Sequence, residues 1–561
     1  MTIEAIPPAL YIFLAGMLMP FFRGSWRLLP VLLAPALLLA LIWTAAPGDQ
    51  LTLQALGMEI IPYRITTAGR LFATVFAIML ATGGIFALKT ANTAELAAAT
   101  IYGGAAIGAT LSGDLISLFV YWEIMAVAST MVLWAAGTEK AWRASFRYAL
   151  VHFMGGVILM AGITGHILET GSAEFTAMQA DSIARWLILI GFLINAGAPP
   201  FSAWLPDAYP EASPSGTVFL SAFTTKTAVF VLLMGFPGES MLIWIGLYMV
   251  FYGIIYALLE NDMRRILAYS IINQVGFMVT GIGIGTEMAL NGAAAHAFAH
   301  IIYKGLLLMS AGVVLHRTGM RKCTDLGGLF RTMPVTTILG IIGALAISAF
   351  PFTSGFVTKS MISQAAADQG LAWAWFLLAA ASAGVFLHAG IKFPWFVFFQ
   401  KDSGLRPKDA PAEMKTAMYI FAFLCIAIGI YPAPLYAALP FSADYVPYTA
   451  SHLVFQFQLL LFAGLAFFLM LPLMKRTLTI TLDFDWFYRR FMTALAREFS
   501  LRGGLIRQRS IDAAMKRLYR FQATLERTHG PQGIIARTWP IGSTVLWVAL
   551  LLGIYVLVYY L

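Results

Sequence analysis

The chain has 561 residues, 60 % of them apolar and only 11 % charged, with a formal net charge of +9 and a mean hydropathy of +0.79. A soluble domain carries about 25 % charged residues, so composition excludes that class and predicts an all-α polytopic membrane protein. Two cysteines, Cys323 and Cys425, are too few and too far apart for a disulfide framework or a metal cage. No Gly-rich phosphate loop or ligand-spaced Cys and His cluster stands outside the apolar runs, so no cofactor, no metal and no nucleic-acid partner is expected.

Apolar runs of about 20 residues mark membrane spans. The first, PPALYIFLAGMLMPFF, has no basic stretch before it and no small-residue cleavage site after it, which predicts a retained span rather than a signal peptide. About sixteen spans are expected in all, near residues 6–22, 28–46, 71–89, 94–112, 114–136, 145–168, 185–204, 215–235, 242–259, 266–285, 290–315, 335–360, 371–391, 416–437, 453–474 and 541–560. Between the second and third, residues 49–66 alternate apolar and polar and contain β-branched residues, predicting a short external hairpin.

The basic loops RGSWR, EKAWRASFR, NDMRR, HRTGMRKCTDLGGLFR and KDSGLRPKDAPAEMK all follow odd-numbered spans. By the positive-inside rule these loops lie inside and both termini face outward. Residues 475–535 are basic and amphipathic, predicting one or two helices along the inner membrane face, interrupted at Gly503 and Gly504. The expected organisation is residues 1–93, 94–400 as the core, 401–474, the basic segment 475–540, and an anchor at 541–561.

The ionisable residues inside the spans form a series. Glu123 sits in FVYWEIMAVAST of span five and Lys226 in FLSAFTTKTAVFVLL of span eight. His296, His300 and Lys304 share one face of span eleven at i, i+4 and i+8, and Lys359 closes AISAFPFTSGFVTK of span twelve. A charge at the bilayer centre costs about 3 kcal/mol on insertion scales. One such residue could snorkel or satisfy a neighbouring carbonyl. A linked set that shares protons answers better to six residues over four spans. INAGAPPFSAWLPDAYPEASPSG (194–216) and ISAFPFTSGFVTK (347–359) place Pro and Gly at membrane depth, where a broken helix survives only beside protein or water. The two breaks lie five spans apart, as two inverted five-helix repeats would place them.

In that order, the WE of span five, PPFSAWLPDA, the span-eight lysine, NDMRRILAYSIINQVGFM, HAFAHIIYKGLLLMSAG and FPFTSGFVTK resemble the antiporter-like subunits of respiratory complex I, of Mrp-type sodium/proton antiporters and of membrane-bound hydrogenases. The resemblance covers roughly residues 95–400 and is greatest to the D-type subunits of the Mrp family. It implies proton translocation, with or without sodium, by Glu123, Lys226, His296, His300, Lys304 and Lys359, in a bacterial cell (inner) membrane. It also implies partner subunits, and the tail would correspond to a lateral helix and anchor. Where that family has a lysine in broken span seven this chain has Asn195, which carries no charge. Lys226, or a water chain leading to it, is then expected to become the partner of Glu123, with Asn195 supplying a neutral hydrogen bond. With no redox site of its own, the chain would draw any driving electron transfer from partners. The alternatives are a pumping subunit of an NADH-quinone oxidoreductase-like complex, a scaffold whose first half-channel is inactive, and a self-sufficient carrier of organic solutes, for which no aromatic and polar pocket is apparent.

Overall fold

A backbone inside a bilayer must satisfy its own hydrogen bonds, and helices do so within one segment. The computed structural model of the chain describes residues 6–55, 57–472 and 483–561. Its elements, in order, are α1 (Ala9–Leu18), α2 (Leu28–Thr44), the strands β1 (Gly48–Ala55) and β2 (Met58–Ile65), α3 (Thr67–Ala87), α4 (Thr93–Thr110), α5 (Leu115–Trp134), α6 (Glu139–Thr170), α7 (Ile183–Ala196) and the short α8 (Trp204–Ala208) and α9 (Gly216–Leu220). There follow α10 (Thr224–Gly235), α11 (Met241–Leu259), α12 (Met263–Ile284), α13 (Glu287–Thr318), α14 (Pro334–Ile347), α15 (Ser354–Asp368), α16 (Ala372–Val385), α17 (Ala412–Ile430), α18 (Ala433–Ala437), α19 (Ala450–Met470), α20 (Met492–His529) and α21 (Ile541–Tyr560).

Each predicted span contains helix, but those at 215–235, 335–360 and 416–437 are each divided between two helices. Among the described residues, twelve helices are long and apolar enough to cross a membrane, which makes this an integral membrane protein. Three more, at Pro8–Phe21, Ile183–Ala196 and Pro334–Ile347, are apolar but shorter. The predicted hairpin forms as an antiparallel pair, Gly48 opposite Ile65 and Ala55 opposite Met58. Asp114, the N-cap of α5, ties it down by accepting from Ser117 N at 2.7 Å and from Ile61 N at 2.8 Å.

The chain divides into two units, Met1–Asp485 and Trp486–Leu561. In the first, α13 is the central element and packs against α3, α10, α12, α14, α15 and α17. Its neighbour pair α11 and α12 approach closely through glycines, since small residues let membrane helices touch backbone to backbone. A Cβ on Gly253 would lie 2.6 Å from Tyr269 O, and one on Gly276 would lie 2.6 Å from Gly246 O. Overpacking such a seam costs about 1–3 kcal/mol. Gly276→Val is therefore expected to lower the thermal unfolding midpoint of the detergent-extracted protein, read by tryptophan fluorescence; an unchanged midpoint would show that the seam yields freely. Asp483 fixes the far end of this unit, accepting from both Tyr252 OH and Tyr269 OH at 2.5 Å.

The second unit holds α20 and α21. The sequence reading places a break at Gly503 and Gly504, and the structure corrects it: α20 runs through both without interruption over 38 residues. Two glycines cost a helix about 1 kcal/mol each, and propagation on either side outweighs that. Part of the predicted amphipathic segment, residues 475–482, lies outside the described residues.

Candidate functional site

Two helices break where the sequence places Pro and Gly. After α7, Gly197 turns left-handed (φ 78°) and Pro199 and Pro200 supply no N–H. The carbonyl of Ile194 accepts from Gly197 N at 3.1 Å and from Trp204 Nε1 at 3.0 Å, and Arg147 of α6 holds Asp207 through two bonds of 2.7 and 2.8 Å. After α14, Ala349 and Phe352 take φ of 55° and 69°, which costs about 1–3 kcal/mol each. Gly355 is needed there, because a Cβ would overlap Ala346 O. Sequence reading misses a third break, between α9 and α10, where no proline marks it.

Two of the buried lysines sit at such breaks. Lys226 Nζ donates to Ser221 O at 2.7 Å, the carbonyl at the end of α9, and to Thr225 Oγ1 at 3.0 Å. Lys359 Nζ donates to Ile347 O at 3.0 Å, the last residue of α14, and lies 4.6 Å above the ring of Phe277. An ammonium beside a helix's unpaired carbonyls meets both their hydrogen-bonding need and their partial negative charge.

Between them runs α13. His296, His300 and Lys304 are each 0 % exposed. His296 Nδ1 is 3.2 Å from Thr358 Oγ1, and its Nε2 is 3.1 Å from Gln274 Oε1 and 3.2 Å from Tyr303 OH. Either ring nitrogen can carry the proton with a partner ready on the other side, so the imidazole can take a proton on one face and give it on the other. The His300 ring lies 6.2 Å from that of His296 and 5.2 Å from Tyr303, and neither of its buried nitrogens has a hydrogen-bond partner. Lys304 Nζ donates to Ser270 Oγ at 2.8 Å and to Leu267 O at 3.4 Å, both on α12. Four predicted residues thus form one buried row, Lys304, His300, His296 and, through the neighbouring Thr358, Lys359. A 250 Å³ cavity lined by Lys359, Ser360, Gln364, His452 and Gln456 adjoins the end of that row.

Glu123 stands apart. It is half-buried on α5, and its carboxylate lies against α6, where a Cβ on Gly156 would overlap Oε1. That oxygen is buried without a hydrogen-bond partner, and among the described residues no ion pair joins Glu123 to Lys226. The expected Glu123–Lys226 pairing is therefore not a direct contact. Asn195 also differs from expectation, since its Oδ1 is 2.7 Å from His152 Nδ1 and not bonded to Glu123.

His152, Gln274, Tyr303, His388 and Lys392 escape the sequence reading. LVHFMGG and FLHAGIK each set a histidine inside an apolar run, and that signal could have found two of them. Lys392 Nζ, on a π-helical stretch Phe386–Lys392, donates to Ala257 O, Leu258 O and Glu260 O at 3.0, 2.5 and 2.6 Å.

The family described as NADH:quinone oxidoreductase/Mrp antiporter, transmembrane, matches residues 112–386, inside the region that carried the resemblance. The chain is 29 % identical over 394 residues to the D-type subunit of a Na(+)/H(+) antiporter from Alkalihalophilus pseudofirmus, covering 62 % of this chain and 79 % of that protein. It is 30 % identical over 355 residues to the A/B-type subunit of a probable K(+)/H(+) antiporter from Rhizobium meliloti, covering 59 % of this chain but only 36 % of that protein. Its fold matches a chain of the Mrp complex from Dietzia sp. DQ12-45-1b with a TM-score of 0.69 and 22 % identity, over 78 % of this chain and 96 % of that one. Residues 112–386 are thus similar to the transmembrane region of the NADH:quinone oxidoreductase/Mrp antiporter family.

Proposed function

We propose that the chain is the ion-translocating subunit of a multi-subunit membrane assembly, moving protons, alone or in exchange for sodium, along its buried ionisable row. The observation that carries this reading is the alignment of His296, His300 and Lys304 on one face of α13, with His296 3.2 Å from Thr358, the residue before Lys359, and all five buried within the bundle. Such a row suits proton hopping, because each member can hold a proton that its neighbour can accept. The test is to purify the assembly from its native membrane, identify the chains that accompany it, and follow a pH dye in vesicles with and without a sodium gradient. Small membrane subunits and sodium-dependent proton movement support an Mrp-type antiporter. Redox subunits support a relative of NADH-quinone oxidoreductase, and an assembly that moves no protons under any drive would end the reading.

The same reading takes sixteen crossings in a bacterial cell membrane, with both termini outside and two inverted repeats. In support of the repeats, the broken α7 and the α14–α15 break fall five spans apart. So do the α9–α10 break with Lys226 and the π-helical stretch with Lys392.

The tail is proposed to lie along the inner face and brace neighbouring subunits. A 38-residue helix rises about 57 Å, and its Arg and Lys side chains suit anionic headgroups. Deleting residues 475–561 is expected to release partner subunits during detergent extraction while the remaining helices still insert. A truncated assembly that stays whole and transports normally would refute the bracing role.

A further inference from the structure

We propose that His152 is the proton-carrying partner of Glu123, so that the first half of the protein works with its second ionisable group on α6; this rests on the translocation reading above. Two orphaned atoms on one helix face point to it. Glu123 Oε1, buried and without a hydrogen bond, lies against Gly156 of α6. His152 is four residues earlier on the same helix, about one turn or 6 Å away along the axis, and is 1 % exposed. Its Nε2 is likewise buried without a hydrogen bond.

The surroundings fix that nitrogen's role. Asn195 Oδ1 accepts from Nδ1–H at 2.7 Å, which leaves the Nε2 lone pair free to receive a proton. When Nε2 is protonated the Asn195 carbonyl keeps its bond and gains charge assistance. The rings of Tyr148 and Trp204, with centroids 4.1 and 4.6 Å from that of the imidazole, hold it in place. Tyr148, the titratable group nearest the ring on its own helix, has its hydroxyl engaged with Ser129 Oγ at 3.0 Å. The step is a simple transfer: the Glu123 carboxyl gives its proton to Nε2, directly or through one bridging water, leaving carboxylate beside imidazolium, and the reverse restores both. Asn195 is thus a positioning residue for the imidazole.

The test uses the native assembly in inverted membrane vesicles with a pH dye, each variant first checked for intact assembly. His152→Gln is expected to lower proton movement at least tenfold, and Glu123→Gln to match it. Adding Asn195→Lys to His152→Gln puts an amine back in the same pocket and is expected to recover at least a third of the native rate, which a merely packing role would not allow. His152→Gln retaining more than half the native rate, or a double variant as inactive as the single one, would overturn the assignment. Lys304→Ala in the same series separates the two ideas. A native rate in Lys304→Ala would bring down the translocation reading itself, whereas an inactive Lys304→Ala beside a fully active His152→Gln would remove only the role of His152.

Discussion

Lys304→Ala is expected to abolish ion transport while leaving the assembly intact, and Lys304→Arg is expected to fail as completely. Lys304 is the basic end of the buried row, bonded to Ser270 Oγ and Leu267 O and otherwise enclosed by the bundle. Truncation removes two hydrogen bonds of the side chain, worth about 1 kcal/mol each, and leaves a cavity costing about 2–5 kcal/mol by analogy with other large-to-small changes. A bundle of this size can bear that loss, so the assembly should survive. Transport should not, because alanine has no proton to exchange. Arginine restores the charge but never gives up its proton in a protein, so charge alone would not rescue the function. Dye-monitored proton movement at the native rate in Lys304→Ala would bring down the translocation reading, and the same rate in Lys304→Arg would show that Lys304 need not release its proton.

The second large effect is expected at Lys359. Lys359→Met keeps the length and apolar stem of the side chain but removes the ammonium that answers Ile347 O and adjoins the cavity. Leaving that carbonyl unpaired costs about 1–3 kcal/mol, less than loss of the fold would require. The transport loss should be much larger, at least a hundredfold, because the row would then end at His296 and Thr358 with no acceptor facing the cavity. A variant that transports within twofold of native would mean that protons leave the row elsewhere, and the 250 Å³ cavity would lose its role.

Much of the fold was legible because bilayer physics allows few alternatives. Twenty-residue apolar runs had to be helices, and the breaks after Ala196 and Ile347 were written in Pro and Gly. Where no residue type marks the event, the sequence was silent. The break between α9 and α10 passes through Ser221, Ala222 and Phe223, none of which forbids a helix, and it is held by the lysine that follows. Gly503 and Gly504 erred in the other direction, since a penalty of about 1 kcal/mol per glycine weakens a helix without ending it.

The site divides in the same way. His296, His300 and Lys304 could be joined on paper because four-residue spacing on one helix fixes their neighbourhood. Glu123 could not be paired from sequence, because its surroundings come from another helix. The room for its carboxylate is made by Gly156, and an orphaned nitrogen on that same helix belongs to His152, which reads in the sequence as a lone histidine in an apolar run. Asn195 stands out in the sequence as a departure, yet its partner lies 43 positions away in the chain and becomes visible only once α6 and α7 are packed.

The central claim is that protons cross the membrane along the buried lysines and histidines. Its most direct test is proton flux in sealed vesicles containing the native assembly, compared with the same assembly carrying Lys226→Gln, Lys304→Gln and Lys359→Gln together. The account predicts that the native assembly produces a dye signal collapsed by a protonophore, and that the triple variant, still assembled, gives none. A triple variant with native flux would contradict the account, because the ions would then be crossing by a route that uses none of the three.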